Sequence, residues 1–378
     1  MYLAIREMRY AKGRYALIAT IMVLVSFLVL FVTGLAQGLA YDNAASVKNM
    51  AATHFVLEQD SNHRFTRSQV DQDQLNQARS AVGQENAEPL GVKMTTVSPT
   101  GDTKKIDVTL FMVNPEGWLA PTVTEGSPIT DQTKGQVVVD QKLSESGVTI
   151  GTVLVDQASG TEWTVGGFVQ NESFSHSPVV FLNEQEWLAL QGSSRTSQAS
   201  ADTNANAPIP IYNAIAIKGA GEQVDGLSAA IPNTEIITKS DAVSAIPGYK
   251  EEQGSLLMMI AFLYIISAFV LAVFFYVITI QKTSQFGILK AIGTRNGYLA
   301  GSVSLQVLVL SVGSLVISVL LVRLFESILP ASMPFQLGLS TLALTCVLFI
   351  LMSVAGSLFS VWKVSKIDAL DAIGRTAA

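Results

Sequence analysis

Hydrophobic positions along this chain follow two different patterns. Four runs, 15–38, 255–280, 298–322 and 337–362, are apolar almost throughout and free of formal charge. Each holds roughly 20 or more residues, enough for a helix to cross about 30 Å of hydrocarbon. Between the first two runs the pattern shortens. "THFVLEQ" (53–59) and "GVKMTTV" (91–97) alternate as half-buried strands do, and "RSQVDQDQLNQARSAV" between them has helical spacing. "KIDVTLFMV" (105–113) reads as a further strand. From about residue 118, "GQVVVDQ", "TVLVDQASGTEWTVGGFVQ" and "SPVVFL" are short strands set off by Gly, Asn and Ser turns. They predict a small β-rich lobe over 118–195. The polar, low-complexity stretch 196–208 predicts a flexible linker. "IYNAIAIKG" and "EQVDGLSAAI" then add a strand and a helix over 209–245, which complete the α/β lobe begun at 50–117.

The expected fold is therefore a membrane protein with four transmembrane α-helices (15–40, 253–280, 298–324 and 337–362). A large mixed α/β extracytoplasmic domain, 41–252, is inserted between the first and second spans. Composition agrees: 49% of residues are apolar and 14% charged, where soluble chains carry about 25% charged. A signal peptide is the rival for the first run, since Arg6, Arg9, Lys12 and Arg14 precede it and "GLA" ends it. The apolar region of a signal peptide is only about 7–15 residues long, however, and this one is longer.

Charge fixes the expected orientation. The short flanks 1–15, 281–297 and 363–378 together carry a net +7, whereas 41–252 carries −13. Basic short flanks stay cytoplasmic, so both termini and the 281–297 loop are expected inside and the large domain outside. The overall −6 is then a basic inner rim plus an acidic outer domain, and gives no sign of a nucleic-acid partner. Cys346, the one cysteine, rules out a disulfide within the chain and reads as a small hydrophobe.

Catalytic motifs are missing. There is no G-x-x-x-x-G-K-[ST] phosphate loop, no H-E-x-x-H, no Cys pair and no G-x-S-x-G elbow, so this is expected to be no enzyme. His54, His63 and His176 are isolated in sequence and read as surface or capping residues. "QKTSQFGILKAIGTRNGYL" (281–299) is more informative. Phe286, Ile288, Leu289 and Ile292 form its apolar side, Lys290 and Arg295 its basic side, and Gly293 a C-terminal cap. Amphipathicity alone fits an interfacial anchor as well as a partner-binding helix. Gly34 and Gly38 are a G-x-x-x-G pair that could admit a second helix or be chance glycines at a helix end.

"FGILKAIG" between the second and third spans resembles the coupling helix of MacB/FtsX-type ABC transporter permeases. "REMRYAKGRYAL" resembles that family's amphipathic N-terminal helix (here 1–14), and "SKIDALDAIGR" resembles its cytoplasmic tail (363–378). The layout of one span, a large outer domain and three further spans is also similar. Gln285 departs from the family pattern, in which many members carry an acid. The resemblance implies a homodimeric permease in the bacterial cell membrane, with no cofactor of its own. It implies two copies of a separate ATPase that binds ATP and Mg, and a mechanism in which spans one and two carry ATPase movement to the outer domain. It makes 281–297 the coupling segment and Phe286, Ile288, Leu289, Lys290, Ile292 and Arg295 its contacts.

Among such permeases the chain looks most like the HrtB-like haem-efflux group, through "IPGYKEEQ" at the entry to span two. Pro247-Gly248 predicts a turn and a helix starting near Tyr249. Glu251 and Glu252 would then lie in its first turn, where acids complement the helix dipole, and Tyr249 would anchor at the interface. The functional reading is that haem docks here. Phenolate, carboxylate and thioether groups are plausible partners of haem iron, which makes Tyr249, Glu251 and Met258 candidate iron ligands. Glu251 with Met258, and Glu252 with Met259, are seven residues apart and share helix faces, and Phe262 could stack on the porphyrin. Export of antimicrobial peptides or hydrophobic drugs, and FtsX-like regulation of a cell-wall hydrolase, are the competing expectations.

Overall fold

The computed structural model describes residues 10, 12–196, 210–219, 224, 226–330 and 333–365. The expected N-terminal helix at 1–14, the linker at 196–208 and the tail at 363–378 lie wholly or mostly outside the described residues. In chain order the helices are α1 (Lys12–Asp42), α2 (Ala45–Asn49), α3 (Gln72–Val82), α4 (Glu184–Thr196), α5 (Leu227–Ala230), α6 (Lys239–Ser244), α7 (Tyr249–Gln281), α8 (Thr283–Ala291), α9 (Asn296–Glu326) and α10 (Leu339–Ser365). The strands are β1 (His54–Glu58), β2 (Val70–Asp71), β3 (Ala87–Pro99), β4 (Ile106–Met112), β5 (Glu125–Gly126), β6 (Gln136–Asp140), β7 (Val153–Asp156), β8 (Glu162–Val169), β9 (Ser173–Phe174), β10 (Ser177–Leu182), β11 (Ile211–Tyr212), β12 (Ala214–Ile217) and β13 (Thr234–Thr238). Two compact units result, 1–39 with 254–378 and 40–253.

Among its described residues, the first unit contains four helices long and apolar enough to cross a membrane: α1, α7, α9 and α10. They pack through small and hydroxyl residues, as helices must where lipid supplies no hydrophobic drive between them. Ser26 Oγ lies 2.6 Å from Ser318 Oγ, and Ser318 donates to the Val23 carbonyl at 2.9 Å. Ser360 donates to the Phe275 carbonyl at 2.9 Å, tying α10 to α7. The G-x-x-x-G face is occupied from within the chain. A Cβ on Gly34 or Gly38 would run into Phe335 and Pro334, and Gln336 donates its backbone N–H to the Gly34 carbonyl at 3.1 Å. The pair therefore seats the segment before α10, and the idea that it admits a second protomer's helix is corrected.

The second unit is built on one extended mixed sheet, ordered β13-β1-β12-β3-β4-β10-β6-β8-β5. β4–β10 and β6–β8 are parallel, and the remaining pairings along this path are antiparallel. β7 pairs with both β3 and β8, which closes a ring β3-β4-β10-β6-β8-β7. The two expected lobes thus share a strand. The first half of β3 pairs with β12 in the α/β part, and its second half with β4 and β7 in the ring. Thirteen residues make β3 long enough to serve both parts. β4, expected in the α/β lobe, belongs to the ring. Helix α3 starts with a capping box between Asp71 and Gln74, the reciprocal pattern that satisfies two orphan N–H groups. α4, β13 and the two-residue strands were not anticipated, and α4 reaches Thr196, the first residue of the stretch expected as linker.

Candidate functional site

Pro247 and Gly248, the latter at φ 81°, make the expected turn, and α7 begins at Tyr249 with Glu251 and Glu252 in its first turn. Tyr249 is partly buried against the core cluster that contains Phe55 and Ile246. Lys48 Nζ stands 5.1 Å from its ring centroid, a cation–π distance. Glu251 is exposed. Glu252 is engaged: its Oε2 accepts from Asn43 Nδ2 at 2.6 Å and lies 3.0 Å from His176 Nε2.

The same imidazole reaches a second acid. His176 Nδ1 is 3.5 Å from Oδ2 of Asp42, the last residue of α1. Asp42 Oδ1 accepts from Ser173 Oγ at 2.8 Å and pairs with Lys142 Nζ. Behind these, Asp140 accepts the backbone N–H groups of Lys142 and Glu172 at 2.9 and 2.7 Å. Burial raises the pKa of Asp140. Burial also pushes Glu172 up to about 7, a shift to which the charge of Asp140 adds and which the hydrogen bond from Asn49 opposes. His176 read as an isolated surface or capping histidine. Its partners are far away in sequence, and no local pattern announces them.

Further along α7, Met258, Met259 and Phe262 are all exposed. The exposed side continues through Ile266, Phe269 and Val273, and α7 is the least buried of the four spans. Glu251, Met258 and Phe262 fall on one helical face, as the spacing required. Among the described residues, no group of three or more His, Cys, Asp and Glu side chains is arranged to hold a metal ion.

The segment between α7 and α9 forms α8, closed by Gly293 at φ 94°. Gly293 N–H donates to the Lys290 carbonyl and Thr294 N–H to the Leu289 carbonyl, at 2.9 and 3.0 Å, and the C-terminal cap is as expected. The apolar side is not the single face anticipated. Phe286 is 8% exposed and lies in the unit's own core, with Leu289 packed against that core. Ile288 and Ile292 are 52% and 77% exposed. At 100° per residue Phe286 and Leu289 lie about 60° apart, and Ile288 and Ile292, about 40° apart, are centred about 110° round the helix from them. Lys290 is partly buried, and Arg295 is exposed at the head of α9. Beside α8 a cavity of about 890 Å³ is lined by Tyr15, Ile18, Phe274, Lys282 and Ile288, among others. Lys282 Nζ donates to Tyr15 Oη at 2.8 Å and to Gln306 Oε1 at 3.1 Å, and Tyr15 donates to Gln306 at 2.6 Å.

Residues 257–369 match the family model described as FtsX-like permease C-terminal. The match takes in all of α8, α9 and α10 and most of α7. Similarity extends beyond that domain. The chain is 28% identical over 374 residues to the hemin transport system permease protein HrtB of Staphylococcus haemolyticus, covering 99% of each chain. HrtB of Staphylococcus epidermidis is 29% identical, again over 99% of each chain. An ABC transporter permease of Mycobacterium tuberculosis is 24% identical over 94% of this chain and 95% of its own. Two solved structures were also matched. The extracellular domain of the ABC-type transporter YknZ has 13% identity and a TM-score of 0.35, covering 49% of this chain and 100% of that one. The periplasmic region of MacB from Actinobacillus actinomycetemcomitans has 12% identity and a TM-score of 0.36, covering 55% and 97%.

Proposed function

We propose that this FtsX-like permease is the membrane subunit of an exporter that removes haem from the bacterial cell membrane. The observation that carries this reading is similarity over 99% of both chains to permeases named for hemin transport. It covers the outer domain and the start of α7 as well as the shared membrane domain. Two copies of the permease and two of a separate ATPase make up the working unit. ATP closure moves α8, and α1 and α7 carry the movement outward. Both termini are cytoplasmic and 41–252 lies outside.

The apolar, lightly covered side of α7 fits contact with lipid and with a second protomer. At its outer end Glu251, Met258, Met259 and Phe262 offer oxygen, sulfur and aromatic groups to a flat porphyrin. Tyr249 lies about 160° round the helix from Glu251, on the side packed against the cluster of Phe55 and Ile246. Glu252 serves as a haem contact only by exchanging the hydrogen bonds it makes to Asn43 and His176, so Glu251 is the stronger acid for this role. On α8 the exposed Ile288 and Ile292, with Arg295 at the rim, contact the ATPase. Phe286 and Leu289 instead hold α8 to its own bundle.

Absorbance titration of the purified protein with haem tests the site. Wild type is expected to show a saturable Soret shift. Tyr249→Ala and Glu251→Ala are each expected to weaken affinity at least tenfold, the scale of one lost iron ligand or charged contact. Wild-type spectra and affinity in both variants would remove the site.

A further inference from the structure

We propose that His176 is a positioning residue, a proton-sensitive clasp that ties the end of α1 to the beginning of α7. Its Nδ1 lies 3.5 Å from Asp42 and its Nε2 3.0 Å from Glu252. Asp42 ends the first membrane helix, and Glu252 is in the first turn of the second. The imidazole is the group through which these two carboxylates are joined. Doubly protonated, it donates one N–H to each and puts a positive charge between two negative ones. Neutral, it has one donor and one acceptor. One of its nitrogens must then turn a lone pair toward a carboxylate oxygen, and one link is lost.

The backbone that carries His176 is held for this purpose. Ser175 and His176 both have left-handed conformations, at φ 51° and 62°, which non-glycine residues keep only where the surroundings enforce them. Ser175 N–H donates to the Asn43 carbonyl at 2.8 Å. Asn49 Nδ2 donates to the Asn171 carbonyl at 2.9 Å, and Asn171 is itself at φ 59°. Residues 42–49, at and just beyond the end of α1, are therefore fastened to the segment 171–176 by several bonds, and His176 extends the fastening to α7.

Other charged groups surround the clasp. From α1 comes Asp42, neutralised in part by Lys142 of the segment after β6. From α7 come Glu252 and, on its exposed side, Glu251. Asp140 and Glu172 lie behind Asp42, and Lys48 of α2 stands over Tyr249. Burial raises Glu172 into the neutral range, to a pKa of about 7, so a test must separate its proton from that of the imidazole.

The clasp rests on the exporter reading only for what it transmits; its protonation is measurable without substrate. Hydrogen–deuterium exchange of the purified full chain at pH 5.5 and 8, corrected for intrinsic exchange rates, provides the test. Wild-type amides at 41–46 and 249–253 are expected to be about tenfold better protected at pH 5.5, the effect of one charge-assisted hydrogen bond. His176→Gln should abolish the difference, and Glu172→Gln should leave it. His176→Arg, charged at both values, should keep the segments protected at both, which preserves the test if the glutamine variant folds poorly. No pH difference in wild type, or the same difference in His176→Gln, would overturn the clasp. Either result would leave haem binding at Tyr249 and Glu251 untouched.

Discussion

Glu172 lies close to Asp140, among partners that cannot compensate its charge, and burial raises its pKa to about 7 from an ordinary 4.5. The folded protein therefore holds this proton more tightly than the unfolded chain does. Its contribution to stability is fully present below pH 4.5, falls as pH rises toward 7, and stays lost above that. Glu172→Gln removes the penalty. The variant is expected to be more stable than wild type at pH 8 by on the order of 2–3 kcal/mol and nearly equal to it at pH 4.5. Thermal unfolding at the two pH values checks this, and an equal shift at both would contradict it. At this scale the sequence was partly legible. Tyr249, Glu251 and Glu252 could be placed at a helix start from Pro247-Gly248 and the apolar run that follows. The engagement of Glu252 by Asn43 and His176 could not, because those partners arrive from distant segments. The same holds for Asp42 and Lys142, whose pairing depends on the whole fold of the inserted domain.

Among the elements, the four spans were read closely because a long apolar run has few alternatives, and each helix ended within a few residues of its expected limits. Amphipathic α8 was found by its period, but the face each side chain takes was not. Phe286 and Leu289 turn toward the bundle, whereas Ile288 and Ile292 turn away, a 3.6-residue consequence that "FGILKAI" permits in either sense. The glycines show how a motif can be right about close approach and wrong about the partner. Gly38→Ala would place a methyl group against the Pro334 carbonyl, an overlap with backbone that cannot rotate away. Overpacking of this kind costs about 1–3 kcal/mol, more than the gain of about 1 kcal/mol that alanine brings to a helix. At Gly313 in α9 an added methyl group would meet nothing within 4 Å, so Gly313→Ala is expected to raise stability by up to about 1 kcal/mol. Unfolding in mild detergent compares the two. A Gly38→Ala protein as stable as Gly313→Ala would mean that the 334–336 segment does not pack on this face.

For the whole molecule, the division into four long apolar helices and an inserted α/β domain was visible in hydropathy. The sheet was not. Alternation marks strands but not their neighbours, so the parallel β4–β10 pair and the ring closed by β7 had no signature. The short β5 and β9 carry too few residues to show a period. For function, "FGILKAIG" pointed toward a permease subunit, and the family match over 257–369 agrees with that part of the reading. The central claim is that this permease moves haem out of a membrane when that ATPase works. Proteoliposomes containing the permease and its ATPase, loaded with haem in the bilayer, measure it most directly. ATP is expected to transfer membrane haem to an aqueous haem-binding protein. Ile292→Asp, which puts a charge into the proposed ATPase contact, is expected to slow transfer at least tenfold, a loss of more than about 1.4 kcal/mol of coupling. Haem that stays in the membrane while the assembled wild-type complex hydrolyses ATP would contradict the account.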